Sequence, residues 1–217
     1  METRSQLNKR GITLIELLVA LVIGAIAIGA IYRVFIAQTR AYTVQDQVVE
    51  VQQNIRGAME IMVRDLRMTG FDYNNPSSLV TLPNIPYEVH GSRITVRYEN
   101  YQLGPPLVSE IRTVTYSLNG TDLERTDNNG TEVLLGDVDA LTFTCGLDGT
   151  IGDSATQDGV AGNWVDCEAV DNARDKVIAV RVTLTARPEQ INPDVQAISP
   201  RTLTSTVALR NPSLRKM

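Results

Sequence analysis

Two cysteines, one histidine and one tryptophan are all that 217 residues hold of those types, and the scarcity excludes a good deal of chemistry. Cys145 and Cys167 lie far apart, and with the lone His90 they do not make a zinc ligand set. His90 sits in a strand-like Tyr87-Glu88-Val89-His90. No serine, cysteine or acid pair stands in a recognisable catalytic motif, so no enzymatic activity is expected. Positive charge is also short, with 20 Lys and Arg against 25 Asp and Glu for a net −5. No basic stripe is available to neutralise phosphates, which argues against nucleic acid as a direct partner. Proline is absent before Pro76, so nothing of that kind interrupts a helix in the first third of the chain.

What fills that first third is an apolar run. From Ile12 to Ile31, 18 of 20 residues are Ala, Val, Ile, Leu or Gly, the exceptions being Thr13 and Glu16. Twenty such residues at about 1.5 Å each match a hydrocarbon core of roughly 30 Å. A carboxylate in such a span costs on the order of several kcal/mol unless it lies near an interface or finds a partner, so Glu16 is functional by default. An ordinary secretory signal fits poorly, because the run is long enough to span and no Ala-x-Ala site closes it. The alternative on spacing alone is a bitopic signal anchor with Glu16 near the cytoplasmic face.

Arg10-Gly11-Ile12-Thr13-Leu14-Ile15-Glu16 resembles the class III signal of type IV prepilins and type II secretion pseudopilins. The resemblance implies cleavage by prepilin peptidase between Gly11 and Ile12, with Ile12 as the N-methylated terminus. The family most often has Phe at that position, and the major pilin's usual proline within the span is absent here. Removing residues 1–11 takes away three bases and one acid, moving the net charge from −5 to −7. In a filament core of packed apolar helices, two opposite charges can be buried only as a pair. Glu16 meeting the amine of a neighbouring subunit would set the axial register.

Beyond the span the helix is expected to continue. Val44, Val48, Val51, Ile55, Met59, Met62 and Leu66 recur at three- and four-residue steps, while Arg40, Asp46, Glu50, Arg56, Glu60, Arg64 and Asp65 form a polar face. One helix to about Met68 would be roughly 85 Å long. Gly70 is the expected stop, before Asn74-Asn75-Pro76. From about Phe71 the period becomes two, with candidate strands at Arg93 to Tyr98, Ile111 to Leu118, Thr131 to Leu135, Val138 to Thr144, Val177 to Ala186 and Leu203 to Leu209. Asn119-Gly120 and Asn129-Gly130 suggest hairpins around Thr121 to Thr126. The expected class is α+β, an antiparallel sheet packed on the apolar face of one long helix. This divides the chain into a leader (1–11), a helix (12–70) whose first half (12–32) is transmembrane or filament core, and a β-rich head (71–217).

The segment 146–175 reads as the least regular part of the head. It holds five glycines, six aspartates and Glu168 against one base, Arg174. Cys145 and Cys167 bracket most of it, and in an oxidising compartment a disulfide between them would stabilise the fold by about 3 kcal/mol; two free thiols are the alternative. Asp148, Asp153, Asp158 and Asp166 are oxygen donors beside glycines, a weak calcium candidate whose spacing does not match an EF-hand. A solvated acidic loop with no cofactor is the expectation. Trp164 is expected as a partly buried packing anchor.

Two further stretches narrow the resemblance. Val51-Gln52-Gln53-Asn54-Ile55-Arg56 and Val63-Arg64-Asp65-Leu66-Arg67-Met68-Thr69-Gly70-Phe71 resemble the PilW-type minor pilins, relatives of the type II secretion pseudopilin J. Beyond residue 75 the resemblance thins to β-rich character and a Leu209-Arg210-Asn211 ending. It implies a minor pilin incorporated in type IV pili that helps prime their assembly, with adhesion, twitching motility or DNA uptake as outputs of the fibre. The implied partners are the major pilin and other minor pilins, met through the N-terminal helix. The implied location is the inner membrane with a periplasmic head, then the fibre, at its tip. A pseudopilin at the tip of a type II secretion pseudopilus is the alternative, and a membrane-anchored receptor or enzyme is the third class. Lys9-Arg10 before the span favour an outward C-terminal portion, while Arg33 and Arg40 on the far flank oppose it.

Overall fold

A computed structural model describes residues 12–72, 82–83, 85–102, 108–149, 159–170, 176–188 and 199–209. It contains one long N-terminal apolar helix packed on antiparallel sheets, a pilin-like α+β architecture. The helix, α1, runs Leu14–Met68 over 55 residues. The chain divides into two compact units, one ending at Asp46 and the other beginning at Gln47.

The first unit is the N-terminal part of α1. Its large apolar side chains are exposed, from Leu14 at 84% to Val22 at 47%. By length and composition this helix can cross a membrane. Apolar surface of this extent is unfavourable in water at about 25 cal/mol per Å², which suits a segment whose surroundings are lipid or other helices.

In the second unit the rest of α1 buries Val51, Ile55, Ala58, Met59, Met62, Asp65 and Leu66. Each fully buried aliphatic side chain contributes about 1.5–3 kcal/mol. The helix stops as its sequence predicts: Gly70 has a φ of +70°, a conformation that glycine adopts without strain. There the chain is tied to the first sheet. The Gly70 N–H donates to the Arg97 carbonyl at 2.8 Å, and the Glu99 N–H to the Phe71 carbonyl at 2.8 Å.

The sheet expected from the sequence is in fact two. The first has five antiparallel strands in chain order: β1 (Tyr87–Val89), β2 (Arg93–Gln102), β3 (Val108–Asn119), β4 (Asp122–Asp127) and β5 (Gly130–Leu135). The second comprises β6 (Val138–Asp148), β7 (Ala161–Asp166), β8 (Val177–Ala186) and β9 (Arg201–Ala208), in the order β7-β6-β8-β9. Local patterning finds strands one at a time and cannot say where the ladder breaks. Here the break falls between β5 and β6, where Asp137 takes a φ of +53°. Gly120, at φ +63°, closes the β3–β4 hairpin. His90 lies just past β1 and its N–H donates to the Arg93 carbonyl at 2.8 Å, a turn contact. Both sheets and the helix share one core, with Tyr116, Leu123 and Ile94 from the first sheet and Phe143, Val182 and Leu184 from the second fully buried.

The acidic segment is more regular than its composition predicts. Ala161–Asp166 forms β7, pairing with β6 so that Trp164 lies opposite Gly146. A side chain at Gly146 would meet the Ala161 Cβ at 3.0 Å and the Trp164 ring at 3.2 Å, so this glycine leaves the space the indole fills. Arg181 stacks on that indole, 4.3 Å from the ring centroid. The expected disulfide is present: Cys145 and Cys167 are bonded, with Cα atoms 5.1 Å apart.

Candidate functional site

The first turn of α1 shows how Glu16 is held. Thr13 precedes the helix and Glu16 follows three residues later, the Thr-x-x-Glu spacing of a capping box. The Thr13 N–H and the Thr13 hydroxyl each donate to Glu16 Oε2 at 3.0 Å, and the Glu16 N–H donates back to the Thr13 hydroxyl at 3.3 Å. The carboxylate also lies at the positive end of the helix dipole, which favours an anion. Glu16 therefore has donors within its own subunit. Ile12, whose amine cleavage would expose, is the residue directly before Thr13 and is 79% exposed. Gly11 lies outside the described residues.

A second acidic residue of α1 does something the sequence does not announce. Asp65, expected on the polar face, is buried. Its Oδ2 accepts from the Tyr116 hydroxyl at 2.6 Å and from Arg125 Nε at 3.0 Å. Its Oδ1 accepts from the Tyr98 hydroxyl at 3.4 Å. These partners come from β2, β3 and β4, so one carboxylate fastens the helix to three strands. Arg125 continues the network to Asp127 at 2.9 Å and Glu132 at 3.0 Å, and Arg112 reaches Asp127 at 2.7 Å. Burial opposes the Arg125 charge, but its hydrogen bonds to Asp65 and Asp127 outweigh it and hold the guanidinium above its ordinary value. The Arg112 hydrogen bond, with the Asn129 N–H, holds Asp127 below the usual carboxylate range. Burial first, then the Asp65 hydrogen bond, push the Tyr116 hydroxyl up.

One signal for Asp65 was present. The buried residues Val51, Ile55, Ala58, Met62, Asp65 and Thr69 follow one another at four- and three-residue steps, so Asp65 is on the core stripe by spacing. Counting a charged residue as polar-face residue by type, not by position, puts it on the wrong side.

The calcium candidates do not converge among the described residues. Asp148 is buried, with its Oδ2 3.5 Å from Lys176 Nζ and its Oδ1 accepting from the Gly159 N–H at 2.8 Å. Asp166 accepts from the Glu168 N–H at 3.0 Å, in the short turn after β7. Asp153 and Asp158 lie outside the described residues. Among those residues no group of three or more His, Cys, Asp or Glu is placed to hold a metal ion.

Comparison with known proteins bears first on the N-terminal signature. The family described as "Prokaryotic N-terminal methylation motif" matches residues 6–32, the stretch that contains Gly11, Ile12 and Glu16. The chain is also similar to the pilin-like protein PilA3 of Thermus thermophilus, with 29% identity over 128 residues. That alignment covers 57% of this chain and 55% of PilA3, so the chain spans about half the length of the curated relative it matches. Together the motif and this relative support a type IV pilin-like family.

Proposed function

We propose that this chain is a minor pilin of the PilW type, incorporated in type IV pili and helping to prime their assembly. The pilin-class part of the proposal is supported by the match over residues 6–32, in a chain whose exposed apolar helix begins at a Thr13–Glu16 capping box; the PilW-type part rests on the resemblance of residues 51–56 and 63–71. Prepilin peptidase removes residues 1–11 and Ile12 is methylated. Before assembly the helix anchors the chain in the inner membrane with the head, 71–217, in the periplasm. In the fibre, near its tip, Glu16 accepts the amine of a neighbouring pilin, and an unpaired charge at this depth costs on the order of several kcal/mol. No direct nucleic-acid partner, catalytic step or resident cofactor enters this role; calcium would find its donors in the 146–175 segment.

Intact-mass measurement on membrane-extracted protein tests the processing. The expected mass is that of residues 12–217 plus one methyl group, less two hydrogens for the disulfide; a chain still beginning at Met1, or cut after Ala30, defeats the proposal. Glu16→Ala should leave membrane insertion intact and lower incorporation into pili. Equal incorporation of the variant would remove the register role.

A further inference from the structure

Among the described residues the second sheet ends at β9, which pairs with β8 alone. The Leu209 N–H donates to the Ile178 carbonyl at 2.7 Å, and this bond sets the direction of every amide before it. Amides alternate along an antiparallel strand. Those of Val207, Ser205 and Leu203 therefore point to β8, and those of Thr202, Thr204 and Thr206 point away from it. The outer edge of β9 is a row of backbone donors and acceptors, a ready template for another strand.

Beside that edge, between β9 and the part of α1 within the second unit, lies a groove. A cavity of about 550 Å³ is lined by Val49, Ile55, Arg56 and Leu203, among others. The next, about 480 Å³, is lined by Met59, Val63, Met68, Leu203 and Ser205, among others. Both include Arg56 and Leu203, so they adjoin along the groove. The end at Met59, Val63, Met68 and Leu203 is mainly apolar, the end at Val49 and Ile55 also presents Gln52, Gln53 and Thr202, and arginines stand along both. Arg56, Arg64, Arg67 and Arg201 share the lining with one acid, Glu60, and Arg64 Nε is also 3.8 Å from Asp65 Oδ1, in a chain whose net charge is −5.

We propose that this groove receives an extended acidic segment of a partner protein, which adds to β9 as a further strand. Strand addition supplies backbone hydrogen bonds, and alternate side chains of the guest reach the apolar end at Met59, Val63, Met68 and Leu203. Carboxylates on the guest meet the arginine rim, and complementary charge of this kind sets partner choice and register. Residues 210–217, which follow Leu209, suit the groove badly: they carry Arg210, Arg215 and Lys216 and no acid, the same sign as the rim.

The test uses the full chain in detergent micelles and two labelled synthetic octapeptides, one alternating valine with aspartate and one alternating valine with lysine. Fluorescence anisotropy should show saturable binding of the acidic peptide only, weakening as salt rises. The double variant Arg56→Glu, Arg67→Glu, which spares the Arg64–Asp65 pair, should lower that affinity about tenfold or more. Thr204→Pro removes an outward amide while leaving the β8 ladder its donors, a position where an edge strand accepts proline. It should lower affinity likewise with an unchanged circular dichroism spectrum; should it fail to fold, the arginine variant decides. Equal binding of both peptides, binding of neither, or wild-type affinity in the arginine variant overturns the proposal. Self-association of the chain through this edge, seen by sedimentation and abolished by Thr204→Pro, overturns the choice of a foreign partner.

Discussion

Asp65→Ala is the sharpest test of how the helix is fastened to the first sheet. The substitution takes an acceptor from the Tyr116 hydroxyl at 2.6 Å and from Arg125 Nε at 3.0 Å. Removing one partner of a buried ion pair costs about 3–5 kcal/mol. The lower end applies, because Arg125 keeps Asp127 at 2.9 Å and Glu132 at 3.0 Å. A buried tyrosine hydroxyl left without an acceptor adds about 1–2 kcal/mol. The expected loss is about 4–5 kcal/mol, roughly 8–20 °C in melting temperature for a chain of this size. The assay is urea unfolding of the chain from Val44 onward, which should be soluble and monomeric, followed by Trp164 fluorescence. Asp65→Leu combined with Arg125→Met should recover most of the loss, since apolar replacement of a buried pair is often neutral. A loss below about 1 kcal/mol in Asp65→Ala, or strictly additive losses in the Asp65→Ala, Arg125→Ala cycle, would refute the coupling.

Three further outcomes are expected of the same fragment. Cys145→Ser should lower stability by about 3 kcal/mol, read from urea midpoints with and without reductant; mass spectrometry finding both thiols free after periplasmic expression would remove the effect. Gly146→Ala should cost about 1–3 kcal/mol through overpacking and change Trp164 fluorescence, because the indole must leave its place above the glycine. Asp127 is held below its unfolded value, near 3.9, so the stability it supplies is complete above about pH 5 and is lost as pH falls below about 4. Urea midpoints between pH 7 and pH 2 should show that fall, and Asp127→Asn should flatten it.

Much of the fold is legible in the residues because its determinants are local. The apolar run, the absence of proline before Pro76 and the glycine at position 70 delimit one helix, and the observed Leu14–Met68 agrees. The clean alternation of Val177–Ala186 predicts β8 to the residue. What sequence periodicity misses is pairing. The split into two sheets depends on which ladder each strand joins, and that is decided by contacts far apart along the chain. β7 is hidden for another reason. Its residues Ala161-Gly162-Asn163-Trp164-Val165-Asp166 have weak strand propensity, and they pair because Gly146 opposite admits the indole and the disulfide follows directly at Cys167.

The two acids of α1 that matter most are legible to different degrees, and the reason is contrast. Glu16 stands out because 18 of the 20 residues from Ile12 to Ile31 are apolar or glycine, so one charge is conspicuous and its cost is plain. Asp65 sits in the amphipathic half among Glu60, Arg64 and Arg67, where an acid attracts no notice. Yet Asp65 is the one that is buried, while Glu16 is exposed and, among the described residues, is bonded to Thr13. Under the proposed function the two charges then solve one problem at different times. Asp65 finds its cations on folding, through Arg125 from β4. Glu16 rests in a capping box until a neighbour's amine arrives, so assembly gains only the difference between that amine and the Thr13 donors. A cap is worth about 0.5–2 kcal/mol, and leaving one charge of a buried pair without its partner costs about 3–5 kcal/mol, so once both charges are in the apolar core the exchange favours the neighbour. Thr13→Val should accordingly leave incorporation into pili intact while Glu16→Ala lowers it; if both fall equally, the cap is itself part of the assembled contact and the exchange does not occur.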